Sequence, residues 1–98
     1  MFSIPESHID QMIKVGGEIV ERPAWSLTEE TGELLTAISK FANDRINYDI
    51  GKQHVVEEMA HVLISMNLVC RQYGITEKDI RREVLVKATK ADFDVTNY

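Results

Sequence analysis

Two short acidic motifs have the residue types and the spacing of a metal site. One reads EETGELL and the other EEMAHVL, and they begin at positions 29 and 57. Glu30 and Glu33 are three residues apart, as are Glu58 and His61, so each pair shares one flank of a helix. Carboxylates gathered with an imidazole repel one another unless a cation joins them. Such oxygen-rich donors suit Mg²⁺ or Mn²⁺, which take phosphate oxygens as further ligands.

The simpler interpretation is that these glutamates are solvated, because glutamate-rich helix flanks are usually exposed. The repetition of one layout on two helices raises the metal site to an equal alternative to that interpretation. Small residues, Gly32 and Ala60, occupy matching places in the two motifs. Glycine is a poor helix former, so Gly32 predicts a close approach by a helix or a ligand.

Four helices are predicted to position these residues, and the fold class is all-α, a short antiparallel bundle. The first helix covers about residues 5–21 and is weakened at Gly16 and Gly17. The second begins at Ser26, which has a capping-box partner, Glu29, three residues later. A polar connection reaching Gly51 separates it from the third helix.

The third helix is predicted over residues 52–73, ending at Gly74, and the fourth begins after Thr76, with Asp79 completing its cap. Ile64 and Leu68 lie opposite the main apolar stripe of the third helix. A helix that is apolar on two faces is buried, so Ile64 and Leu68 are expected in a contact with a second subunit or in a packed layer between helices. That main stripe comprises Val55, Met59, Val62, Leu63, Met66, Val69, Cys70 and Tyr73.

Composition defines the broad class of protein. The 98 residues form one predicted domain, 1–98, whose 44% hydrophobic content excludes wholesale disorder. The net charge of −5 argues against nucleic acid or an anionic membrane as the partner. Cys70 is the single cysteine, so there is no disulfide framework. No apolar run suits a signal peptide or a bilayer span, and we expect a cytoplasmic protein.

The two acidic motifs also resemble a known signature. The pattern looks like the EExxE … EExxD signature of the all-α nucleoside triphosphate pyrophosphohydrolases, the MazG-like superfamily. The resemblance covers about residues 22–90 and includes the link from Gly74 into the last helix. It is carried by Glu29, Glu30, Glu33, Glu57, Glu58, His61 and the tract 73–76.

The resemblance implies hydrolysis of a nucleoside triphosphate to the monophosphate and pyrophosphate. It implies a homodimer or a homotetramer built on a four-helix bundle, with Mg²⁺ as the cofactor. The metal ligands would be Glu30, Glu33, Glu58 and His61, and Glu29 or Glu33 would orient the attacking water. Position 61 departs from the family, which has aspartate there, so Mn²⁺ or another transition metal is expected to be favoured.

Three further residues are predicted to contact the nucleotide. Lys87 and Lys90 on the last helix have the charge needed to bind phosphate, although exposed helical lysines are more often only solvated. Trp25 is predicted to precede the second helix and could stack on a base. It could equally be a partly buried staple residue ahead of the Ser26 cap.

Two other functions compete on the same residues. Glu58-x-x-His61 has the spacing found in ferritin-like di-iron and di-manganese proteins, in which Glu30 or Glu33 would supply the extra carboxylate. The second alternative is a catalytically inactive bundle that binds a nucleotide without turnover, which His61 would favour. The other two histidines, His8 and His54, are predicted to have no role.

Overall fold

The computed structural model describes residues 4–43 and 47–90, which are helical with no strand in these two ranges. This confirms the all-α prediction. No helix in this part of the chain combines the length and hydropathy that crossing a bilayer requires. The helices are α1 (Glu6–Val15), α2 (Glu18–Glu21), α3 (Pro23–Asn43), α4 (Tyr48–Tyr73) and α5 (Glu77–Thr89).

The first predicted helix is divided in two. Gly16 and Gly17 have φ angles of 77° and 101°, a region that residues with a side chain rarely adopt. The backbone therefore leaves the helix at this pair and resumes as the short α2. The prediction of one helix over residues 5–21 was wrong because the two glycines break the helix rather than bend it.

The start of α3 also differs from the prediction. The helix begins at Pro23, and the Ser26 amide donates to the Arg22 carbonyl at 2.9 Å. Proline is well suited to the first helical position, because its missing N–H would be unpaired there in any case. Ser26 thus lies within the first turn of α3, where it is buried. It is not a cap, and Trp25 belongs to the helix rather than preceding it.

Local capping signals account for the other helix ends. Asn47 caps α4, accepting from the amides of Asp49 and Ile50, so α4 begins four residues before its predicted start. Gly74 ends α4 in the left-handed conformation, as predicted. Thr76 and Asp79 form the predicted capping box at the start of α5.

The main packing unit is the antiparallel pair of α3 and α4. Phe41 near the end of α3 meets Tyr48 at the start of α4, with ring centroids 5.2 Å apart and planes almost perpendicular. Further along, Glu30 of α3 contacts His61 of α4. The two helices therefore run side by side in opposite directions.

The buried face of α4 follows the predicted apolar stripe only in part, since Val55, Val62 and Val69 are half-buried. On α4 the buried residues include Gly51, Glu58 and Ser65, spaced by seven. Met59 of the predicted stripe is instead 50% exposed. Residues repeating every seven positions keep one side of a helix toward its partner. The seam is thus rotated away from the stripe and toward the acidic flank.

The helix α1 packs against α4 through a small contact. Ile9 is its one buried residue. Arg71 of α4 donates to Glu6 and, at 2.9 Å, to Asp10, and this joins the two helices by charge. These pairs are solvent-accessible, so they contribute modestly to stability and are weakened by salt.

Candidate metal centre

Glu30, Glu58 and His61 converge between α3 and α4. The Nδ1 atom of His61 lies 3.1 Å from Oε2 of Glu30 and 3.7 Å from Oε2 of Glu58. One donor atom from each of the three residues lies within 4.8 Å of the other two. The expected convergence of the two acidic flanks is therefore present in one chain.

The packing of the two helices explains why these side chains meet. Glu58 is on the seven-residue line of α4 that faces α3, so its carboxylate is directed into the seam. His61 follows one turn later on the same side of α4. On α3, Glu30 lies between Pro23 and Ala37, both buried and each seven residues away. The three side chains therefore lie at the interface between α3 and α4.

The carboxylate of Glu58 is the most unusual group in the cluster. The residue is only 8% exposed. Its Oε2 atom is buried without a hydrogen-bond partner. Buried carboxylates are expected to be hydrogen-bonded, paired or coordinated to a metal, because desolvating a charge is costly. A cation would supply the missing partner of this oxygen, and in its absence a proton shared with the carboxyl group of Glu30 can do so, since a side-chain hydrogen bond with Glu58 contributes to the raised pKa of Glu30.

The environment of Glu30 indicates the same need for positive charge. Burial is the largest of the effects that raise the pKa of Glu30, and the nearby carboxylate of Glu33 raises it further. His61 acts in the opposite direction, and Glu58 adds to the increase. Carboxylates that share a site disfavour one another's charged forms. A divalent ion would relieve this repulsion in place of a proton.

The donor atoms fit a small divalent cation. With metal–ligand bonds of about 2.1 Å, neighbouring ligands of an octahedral ion lie about 3 Å apart and opposite ligands about 4.2 Å apart. The separations of 3.1 and 3.7 Å from His61 to the two carboxylates agree with this spacing. With its proton on Nε2, the imidazole would present the Nδ1 lone pair to the ion.

The other predicted ligand and catalytic residues lie beside this group rather than in it. Glu33 is exposed on α3, close enough to influence Glu30 but outside the three-residue cluster. Glu29 is exposed on the same helix. Gly32 has nothing within 4 Å of the position that a Cβ would occupy. The predicted close approach of a helix at Gly32 is therefore wrong within this chain.

The three predicted nucleotide contacts are not brought to the cluster. Trp25 is 55% exposed, and five residues of helix place it about 140° around α3 from Glu30. Lys87 is exposed on α5 and pairs with Glu83 at 3.8 Å. Lys90 follows the end of α5 and is exposed. Their roles toward a nucleotide stay predictions.

Sequence reasoning missed one member of the site's surroundings, His54. Its Nε2 atom lies 3.6 Å from Oε1 of Glu58, one helical turn away. The spacing of four residues between His54 and Glu58 was the available signal. Comparison of the chain with protein-family models, curated proteins and solved structures finds no match.

Proposed function

We propose that this protein is a metal-dependent nucleoside triphosphate pyrophosphohydrolase of the MazG-like type, with Glu30, Glu58 and His61 as metal ligands. The observation that carries the proposal is the buried, unpartnered Oε2 of Glu58, which lies beside Glu30 and His61. The reaction itself is inferred from the likeness of the two acidic motifs to the pyrophosphohydrolase signature.

Each residue has a distinct task in this proposal. The ion, when bound, supplies positive charge that neutralises the phosphate oxygens, which is the main requirement of phosphoryl transfer. Glu30 and Glu58 contribute negative charge, while His61 contributes a neutral nitrogen. Glu29 and Glu33 stay the two candidates for orienting the attacking water, and Glu33 is near enough for its charge to act on Glu30.

Pyrophosphate release tests this function. Purified protein should be assayed against the common ribonucleoside and deoxyribonucleoside triphosphates, with Mg²⁺ and Mn²⁺ in parallel. We expect at least one substrate to give monophosphate and pyrophosphate in equal amounts, and chelation of the metal should stop the reaction. Release of orthophosphate, or no release from any substrate with either metal, would contradict the proposal. Nucleotide binding without release would identify the inactive bundle.

One observation favours a second candidate function, a di-metal centre of the ferritin-like kind. The cluster contains Glu30 and the pair Glu58-x-x-His61, and Glu33 lies outside it. This is half of the ligand set of such centres, so two copies would supply the whole set. Anaerobic loading with Fe²⁺ followed by exposure to oxygen distinguishes the two functions. Rapid oxidation of two irons per pair of chains would favour the di-metal centre.

We also propose that the chain forms a homodimer or homotetramer. Its Cα radius of gyration is 16.3 Å, whereas a compact chain of about 100 residues has about 13 Å. Leu35 and Ile38 of α3 are exposed, as is Met59 of α4. Leu68 is buried within the chain. The exposed residues Leu35, Ile38 and Met59, rather than Leu68, are therefore the surface available to a second copy.

Light scattering at micromolar concentration should therefore give at least twice the chain mass. Ile38→Glu should shift the mass toward the monomer, because a charge buried at a subunit contact without a partner costs several kcal/mol. Val15→Glu is the matched control, since Val15 is an exposed apolar residue on α1. A wild-type monomer, or an equal effect of both substitutions, would contradict this assembly.

A further inference from the structure

Glu58 lies between two histidines of its own helix. Its Oε1 atom faces Nε2 of His54 at 3.6 Å, and its Oε2 atom faces Nδ1 of His61 at 3.7 Å. Each carboxylate oxygen is thus next to a different imidazole. His54 is about half exposed, whereas Glu58 is buried, so the imidazole approaches the carboxylate from the solvent side.

We propose that His54 is a positioning residue for the metal centre: it holds Oε1 of Glu58 so that Oε2 points toward Glu30 and His61. This inference rests on the proposed metal site. The terminal torsion of a glutamate is broad, so a carboxylate without a partner rotates among many orientations. At 3.6 Å, His54 Nε2 is in ion-pair range of Oε1 but just beyond hydrogen-bond distance. A small closure of this gap would let His54 donate to Oε1, restrict that rotation and direct the other oxygen toward the ion. Ligating carboxylates in metalloproteins usually accept a hydrogen bond from a second residue, the role proposed for His54.

The placement of His54 argues against its being a ligand of the same ion. Within the part of the chain that the structure describes, the donor atoms that lie within 4.8 Å of one another come from Glu30, Glu58 and His61. His54 and His61 are seven residues apart, or about 10.5 Å along the axis of α4. Glu58 lies between them, so His54 reaches the ion through Glu58 and not directly.

The same helix shows which residue should replace His54. Gln53 donates from Nε2 to Oε1 of Glu57 at 3.4 Å, four residues on. A glutamine at position 54 would have the same four-residue relation to Glu58. His54→Gln therefore keeps a donor for Oε1, while His54→Ala removes it. Both substitutions are at a half-exposed position, so the helix is expected to form in each.

Cobalt binding by the full chain tests the proposal, with calorimetry giving affinity and stoichiometry. We expect His54→Ala to weaken Co²⁺ binding about 10- to 100-fold, the usual effect of losing a partner of a metal ligand. His54→Gln should restore most of the affinity, and the number of ions per chain should be the same in all variants. His8→Ala, at an exposed position on α1, should match the wild type.

Three results would overturn the role of His54. Wild-type affinity in His54→Ala would show that Glu58 needs no positioning. A lower stoichiometry in His54→Ala, or a loss in His54→Gln as large as in His54→Ala, would show that His54 is itself a ligand. Failure of the wild type to bind Co²⁺ is a separate result, which would overturn the proposed metal site and the role of His54 together.

Discussion

Glu58→Gln is expected to abolish metal binding and leave the metal-free protein at least as stable as the wild type. The substitution removes a ligand charge and preserves the volume of the side chain. The affinity for Mn²⁺ and the rate of pyrophosphate release should each fall by about 100-fold or more, because a bound ion supplies several kcal/mol of charge stabilisation. The free energy of unfolding without metal should rise by about 1 kcal/mol, since the buried carboxylate, whose Oε2 has no hydrogen-bond partner, is replaced by a neutral amide.

The neighbouring residue provides a control for this experiment. Glu57 is exposed on the same helix and accepts a side-chain hydrogen bond from Gln53. Glu57→Gln makes the same chemical change outside the seam, so it should alter stability by less than about 0.5 kcal/mol and leave metal binding intact. Calorimetric titration and urea unfolding of both variants measure the two effects. Wild-type metal affinity in Glu58→Gln would show that the cluster is not the metal site.

His61→Asp is expected to shift the metal preference toward Mg²⁺. The proposed ligand set has two carboxylates and an imidazole, which binds a metal in its neutral form, and aspartate would add a third negative charge. Magnesium is a hard ion that prefers oxygen, whereas manganese tolerates imidazole better. The ratio of activity with Mg²⁺ to activity with Mn²⁺ should therefore rise, on the order of ten-fold.

Two measurements check the role of His61. Pyrophosphate release should be compared in both metals, and the affinities for the two ions should be titrated directly. His8→Asp adds the same charge at an exposed position on α1 and should not move either ratio. If His61→Asp leaves both the Mg²⁺-to-Mn²⁺ activity ratio and the Mg²⁺-to-Mn²⁺ affinity ratio unchanged, His61 is not a ligand. The site would then have to be rebuilt on Glu30, Glu33 and Glu58.

Much of the helix pattern could be predicted from the sequence because the signals at helix ends are local. Gly74 adopts the left-handed conformation, and Thr76 forms its cap with Asp79. Each of these depends on a few neighbouring residues. The cap predicted at Ser26 failed because Pro23, three residues earlier, had already begun the helix.

The packing could not be predicted as well, because the apolar pattern does not identify the partner of each face. The stripe containing Met59 was expected to face the neighbouring helix, but the buried line contains Gly51, Glu58 and Ser65. Small residues such as Gly51 and Ser65 allow two helices to approach closely. Helix propensities do not indicate which small residues will face a neighbouring helix. The convergence of Glu30 and Glu58 was nevertheless predicted, since the two motifs have the same layout.

The location of the proposed centre within one antiparallel helix pair has a consequence for how the protein would acquire its ion. Glu30 and His61 are separated by 31 residues and one short connection. Both residues belong to neighbouring helices of one chain, so the cluster needs only the pairing of α3 with α4 and no second chain. Each chain can therefore complete its own centre as soon as α3 and α4 have paired, before it meets another copy. Uptake of the proposed ion would then be first order in the chain and first order in the metal, and it would need no encounter between two chains.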